Sequence, residues 1–235
     1  VGCSLNCHFC ATAKLKRMRN LNFDEIYDQV VLINKQANEF FNRPLTNIVF
    51  MGMGEPFLNY KNSIAAADLL HHSKGINMAA WRITISTAGV VPKIKQFAEE
   101  EQPYKLAVSL NGSTHEQRLK TMPITQTHTF SNLINASKDY AYNSRNRITF
   151  EYVLMDGIND EPQDAERLIR LLGSIECKLN MIPYNEIGGV YNRPSDERIE
   201  AFMEPLKRAP FPVTVRWSKG TDIDAGCGQL VTSST

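Results

Sequence analysis

"TNIVFMGMG", residues 46–54, is apolar from Ile48 to Met51 and then breaks on Gly52 and Gly54. A short apolar run without a charged interruption suits a strand buried on both faces of a parallel sheet, and a glycine-rich tail suits a loop at its end. The same pattern returns in "RITISTAG" (82–89), "YKLAVSLNG" (104–112), "RITFEYVLMDG" (147–157), "KLNMIPYN" (178–185) and "VTVRWSKG" (213–220). Between these runs the apolar spacing changes to that of helices. In "NFDEIYDQVVLINKQANEFF" (22–41), Asn22 is the candidate N-cap and Asp24 and Glu25 lie in the first turn. Ile26, Val30, Ile33 and Ala37 share one face there, expected to pack inward. Comparable patterns occupy 61–74, 129–143, 161–173 and 195–208. Strand followed by helix, repeated about six times, predicts an α/β fold with a parallel sheet, open or curled into a barrel. In such folds chemistry collects at the C-terminal ends of the strands, where the tails "GMGEP", "STAG", "SLNG", "DGIND" and "PYN" are expected.

With 235 residues, no repeat and no linker-like tract, the expectation is one domain spanning 1–235. A net charge of +1 excludes a protein that meets nucleic acid through its overall field, so an RNA partner would need a local basic patch. The absence of a run of about 18 apolar residues, or of an apolar leader, predicts neither membrane insertion nor secretion. Five cysteines, an odd number, argue against a secreted disulfide framework and for metal binding in the reducing cytoplasm.

Three of those five cysteines, Cys3, Cys7 and Cys10, fall within "VGCSLNCHFC" (1–10). A structural zinc needs a fourth ligand that this stretch does not plainly supply. An iron-sulfur cube held by three thiolates leaves one iron open for a small chelating molecule, which implies catalysis or substrate binding. Three thiols without a metal are the remaining alternative.

"GCSLNCHFCATAK" (2–14) resembles the cluster motif of radical S-adenosylmethionine (SAM) enzymes. Together with "RNL" (19–21), "MGMGEPFLN" (51–59), "STAGVVP" (86–92), "MPI" (122–124), "EYVLMDGIND" (151–160), "CKLNMIPYN" (177–185) and "DIDAGCGQL" (222–230), it resembles the branch that methylates C2 of adenine in RNA. The likeness extends along essentially the whole chain. It implies a partial (β/α)6-type barrel, a [4Fe-4S] cluster on Cys3, Cys7 and Cys10, and SAM as the second cofactor. It also implies SAM contacts at Gly54, Glu55, Ser86, Ser109, Leu110, Asn111 and Asn185, and a methyl-carrying thiolate at Cys227. Glycine permits close backbone approach and a carboxylate accepts hydrogen bonds from an ammonium group, which suits Gly54 and Glu55 to the amino end of SAM. The implied partners are 23S ribosomal RNA, transfer RNA and a reductant protein that donates electrons to a monomeric enzyme. Cys177 has no matched role and is read as structural.

For RNA, "AKLKRMRN" (13–20) places Lys14, Lys16, Arg17 and Arg19 beside the cysteine loop, where four cations would neutralise phosphates. A target adenine in folded RNA would have to leave its stack. Two positions depart from the family pattern: Asn111 stands where histidine is usual and Gly226 where alanine is. The family also places a second reactive cysteine and a glutamate ahead of the cluster motif, along with a first strand and an accessory domain. None precedes Val1, so the chain is expected to be an N-terminally truncated core that does not turn over on RNA. Two other readings compete: the sister group that methylates C8 of adenine, and a non-catalytic, metal-stabilised RNA-binding module.

Overall fold

In a computed structural model, which describes residues 1–15, 18–144, 146–220, 223, 224 and 226–230, the six apolar runs form one parallel sheet. Its strands are β1 (Ile48–Phe50), β2 (Ile83–Thr87), β3 (Lys105–Ser109), β4 (Ile148–Leu154), β5 (Cys177–Pro183) and β6 (Val213–Val215). Each strand pairs with the next in sequence, so the order β1-β2-β3-β4-β5-β6 never reverses. Such an order winds a sheet in one direction, which is how a barrel wall is built. Just beyond β6, Arg216 Nη1 lies 3.7 Å from Met51 Sδ just beyond β1, so the two ends of the wall approach each other.

The helices are α1 (Phe23–Phe41) before β1, α2 (Tyr60–His71), α3 (Val91–Glu99), α4 (His115–Thr121), α5 (Phe130–Asn143), α6 (Pro162–Leu172) and α7 (Asp196–Leu206). Fully buried side chains such as Ile85, Leu106, Phe150 and Leu179 face Leu70, Ile94, Leu133 and Phe202 across the sheet–helix layer. No helix among the described residues is long and apolar enough to cross a membrane.

Three differences from the sequence reading have physical causes. The crossovers on either side of β3 contain α3 and α4, which the periodicity did not single out. The first begins with a proline in its first turn inside the "STAGVVP" segment; the second has only seven residues, too few for a full periodic signal. Second, the apolar face of α1 is not inside. Asn22 does open the helix, its N–H donating to Glu25 Oε2 at 2.9 Å, but no residue of α1 is buried and Ile33 is 51% exposed. This helix packs chiefly against α2, beside the edge strand β1, and one neighbour cannot cover the whole stripe.

The third concerns "DGIND". It lies at the C-terminal end of β4 as expected, yet it locks the loop instead of lining a site. Fully buried Asn159 accepts from the Met155 N–H at 2.8 Å and donates to the carbonyls of Val153 (2.8 Å) and Asn111 (3.2 Å). Its own carbonyl accepts from Tyr152 Oη at 2.7 Å. Removing the amide leaves buried backbone groups without partners, so Asn159→Ala is expected to destabilise the fold by about 3 kcal/mol. Urea unfolding checks this, and an unchanged midpoint would mean the loop does not depend on that side chain.

Candidate functional site

The cysteine loop is laid across the C-terminal ends of the strands by contacts with parts of the chain remote in sequence. His8 N donates to the Thr121 carbonyl and His8 Nδ1 pairs with the Lys120 carbonyl, both at 2.9 Å, which docks the loop on the end of α4. On its other side Ala11 N donates to the Gly228 carbonyl at 2.7 Å and Thr12 Oγ1 to the Leu230 carbonyl at 2.6 Å. A cavity of about 120 Å³ lies beneath, into which Cys3, Cys7, Cys10, Ser86, Ser109 and Cys227 all face. A groove of about 240 Å³ against α1 and β1 shares Cys3, Gly54 and Glu55 with it.

Gly54 has φ +108°, and a Cβ there would lie 3.2 Å from the Gly2 carbonyl, so the turn after β1 presses directly on the cysteine loop. Glu55 lines both the cavity and the groove, and its carboxylate is also held by the backbone. Its Oε1 accepts from Phe57 N at 3.0 Å and Oε2 from Ala88 N at 2.6 Å, tying the end of β1 to the end of β2. Burial pushes its carboxyl above the usual range, with the bonds from Ala88, Thr87 and Phe57 opposing that shift. Of the segment Ser109, Leu110 and Asn111, only the serine lines the cavity. Leu110 is fully buried in the main core. Asn111 sits under the floor at φ +53°, its Oδ1 accepting from Val153 N at 2.8 Å and its Nδ2 directed at Met122 Sδ. Its side chain joins β3 to β4, a local task that leaves it turned away from the cavity.

Cys227 reaches the cavity because its loop is pinned on both sides. Asn185, just after β5, donates its amide hydrogens to the Cys227 carbonyl at 2.9 Å and to Ser218 Oγ at 2.8 Å. Both hydrogens are thereby committed to holding this loop. Gly228 has φ +83°, and a Cβ there would be 3.0 Å from the Phe9 carbonyl. At Gly226 a Cβ would be 2.4 Å from Gln229 Oε1, whose oxygen instead accepts the Gly226 N–H at 3.0 Å. The departure from alanine at 226 therefore coincides with close packing of Gln229. Burial pushes the Cys227 thiol up to about 11, with Arg216 acting the other way. Cys177 lies buried at the opposite end of the sheet, where β5 starts, in keeping with its structural reading.

The basic stretch is less available than its composition implied. Lys14 Nζ donates to the carbonyls of Ile187 (3.3 Å) and Gly188 (3.1 Å). Arg19 forms a two-pronged pair with Glu25 at 2.7 and 2.6 Å. Lys16 and Arg17 lie outside the described residues. Two buried charged residues near the site had no motif to reveal them. Glu151 on β4 has Oε1 bonded to Asn180 Nδ2 at 3.0 Å, while Oε2 has no partner among the described residues. Arg118 on α4 is fully buried.

The donor set suits an iron-sulfur cube and a small chelating ligand. Cys3 Sγ accepts a hydrogen bond from Leu5 N at 3.4 Å, an interaction that favours a thiolate. Burial together with Cys10 and Cys3 pushes the Cys7 thiol up to about 12, so this sulfur needs a cationic core to be held as a thiolate. Among the described residues no three His, Cys, Asp or Glu side chains converge on one ion position. A cube takes each thiolate on a separate iron and does not require that convergence.

The sequence profile of the Radical SAM superfamily matches residues 1–172, a span that includes all three cysteines of the loop. The probable dual-specificity RNA methyltransferase RlmN of Christiangramia forsetii is 48% identical over 235 residues, covering 100% of this chain and 67% of that protein. The chain belongs to the RlmN family of radical SAM methyltransferases. RlmN of Syntrophobacter fumaroxidans, named a dual-specificity RNA methyltransferase, is 43% identical over 232 residues, covering 98% of this chain and 67% of its own. The chain thus spans about two thirds of the length of the RlmN proteins it matches. The crystal structure of a radical SAM methyltransferase from Sphaerobacter thermophilus superposes with a TM-score of 0.94 at 44% identity, over 97% of this chain and 67% of that one. The hydrogenase maturase HydG, at 11% identity and a TM-score of 0.66 over 98% of this chain and 53% of its own, shares the fold alone. Membership of the RlmN family brings with it a [4Fe-4S] cluster and SAM as cofactors.

Proposed function

We propose that this chain is the catalytic core of an enzyme that methylates C2 of adenine in 23S ribosomal RNA and transfer RNA, with Cys227 as the methyl carrier. The observation that carries the reading is the shared cavity: Cys227 faces the same space as Cys3, Cys7 and Cys10, although more than 200 residues separate it from them in sequence. In this reading Cys3, Cys7 and Cys10 hold the cluster. Ser86, Ser109, Glu55 and the backbone at Gly54 line the place of SAM, and Asn185 keeps the Cys227 loop in position. When bound, the cluster supplies the electron that cleaves the sulfonium of SAM.

The chain's own residues set the remaining conditions. Cys227 would act as a thiolate that accepts a methyl group by displacement at the sulfonium methyl carbon, with S-adenosylhomocysteine as the leaving group, becoming a neutral thioether whose loop the Asn185 amide holds through the Cys227 carbonyl. Its proton must leave first. Arg216 favours that loss, while burial opposes it. C2 of adenine is electron-poor and is a weak nucleophile toward a sulfonium methyl, which is why a protein-borne methyl group and one-electron chemistry fit this target. The electrons come from a reductant protein.

The experiment is anaerobic reconstitution with iron and sulfide, followed by incubation with RNA, SAM and reductant. Production of 5′-deoxyadenosine is expected from this chain, with modification of RNA stopping at a covalent protein-RNA adduct, and release of 2-methyladenosine, identified by nucleoside mass spectrometry, is expected from a longer protein that contains it. Formation of 8-methyladenosine instead would move the chain to the sister chemistry. No 5′-deoxyadenosine from a protein with full iron content would defeat the radical reading.

A further inference from the structure

Arg118 is fully buried and has no acidic partner among the described residues. Its Nη1 donates to Thr125 Oγ1, and its Nη2 donates to the carbonyls of Ala88 and Ser109. All three acceptors are neutral, and Nε has no partner among the described residues. A guanidinium in such a setting is costly unless a negative charge lies close by.

The surrounding chain is built to place it there. A Cβ on Gly89 would lie 2.9 Å from Arg118 Nη2, and one on Gly112 would lie 2.7 Å from the Arg118 backbone nitrogen. The glycines of "STAG" and "SLNG" thus make room for this residue. The negative partner the geometry offers is the cysteine loop. His8, the neighbour of Cys7, is bonded to the carbonyls of Lys120 and Thr121 at the end of the helix that carries Arg118. Ala88 and Ser109, whose carbonyls accept from the guanidinium, themselves line the cavity that Cys3, Cys7 and Cys10 face.

We propose that Arg118 is an electrostatic positioning residue: a fixed positive charge directly behind the cavity wall, bonded to the carbonyls of Ala88 and Ser109, that favours the anionic cysteine loop and raises the reduction potential of the cluster. This rests on the reading of Cys3, Cys7 and Cys10 as the cluster ligands. Three thiolates on a four-iron core carry a net negative charge, and reduction adds one more, so a nearby buried cation favours the reduced form. Arg118 stays protonated throughout and exchanges no proton or electron itself.

The test compares wild type, Arg118→Gln and Arg118→Lys, each reconstituted anaerobically with iron and sulfide. Iron per chain, the melting temperature of the iron-free protein and the midpoint potential are read. The potential is followed by electron paramagnetic resonance during titration with dithionite. The glutamine variant is expected to shift to a lower potential or to lose iron, while the lysine variant stays near wild type on both. A glutamine variant with full iron and an unchanged potential overturns the proposal, whatever happens to SAM affinity. An equal loss or equal shift in both variants also overturns it, because the charge would then not be the agent. So does an equal fall in melting temperature with loss of iron in both, which marks a purely architectural side chain. Wild-type protein that takes up no iron defeats the underlying cysteine reading, and the inference with it; an unchanged potential in an iron-loaded glutamine variant defeats the inference alone.

Discussion

Cys7→Ala is expected to reduce 5′-deoxyadenosine formation to background, and Cys3→Ala and Cys10→Ala are expected to do the same. Charge and geometry both require all three sulfurs. With three thiolates a four-iron cube is held at three corners and has one unique open iron; with two, it is poorly retained and the open corner is no longer defined. Cys7 is the most demanding case because its environment is hostile to a bare thiolate: burial and its two neighbouring sulfurs push it up to about 12. The fold should survive the change, since the loop is anchored through His8, Ala11 and Thr12 and not through the sulfurs. Far-ultraviolet circular dichroism of the iron-free variant should therefore match wild type. Iron analysis and chromatography of the nucleoside product decide the matter. A variant with wild-type iron content and undiminished product would show that the altered cysteine is not a ligand.

Cys227→Ala is expected to separate two activities. The variant should keep its iron, its visible absorbance and its binding of SAM, because the sulfur of Cys227 is not among the three in the N-terminal loop. It should lose methyl transfer to RNA. The loop itself should persist, since the groups that hold it are backbone: the Cys227 carbonyl bonded to Asn185 and the Gly228 carbonyl bonded to Ala11 N. Removing a single sulfur from such a loop should change stability by about 1 kcal/mol. Incubation with methyl-labelled SAM should place the label on Cys227 in wild type and leave the variant unlabelled. RNA methylation at the wild-type rate by the alanine variant would dismiss the carrier role.

The legible part of this protein was whatever depends on near neighbours in the chain. Apolar runs such as Ile48–Met51 marked the strands because burial on both faces of a parallel sheet demands continuous hydrophobicity, and 3.6-residue spacing marked the longer helices. Cys3, Cys7 and Cys10 announced themselves because one short loop presents all three. Local rules failed where an element was short, as in α4, or where burial depends on what lies opposite, as on the half-covered face of α1.

Everything that joins strand ends together was decided by tertiary structure. Sheet order brings Cys227 against a loop at the other end of the chain, a contact no local spacing encodes. It makes Glu55 a tie between the ends of β1 and β2, and Asn185 the clamp on the Cys227 loop. "DGIND" became a lock because a buried loop must satisfy its own backbone groups, and Lys14 and Arg19 were engaged by carbonyls and an acid that only folding brings near. Arg118 is the sharpest case. Its residue type argues for the surface, and its burial follows from two glycines on separate loops, Gly89 leaving room for the guanidinium and Gly112 letting the Arg118 backbone come close.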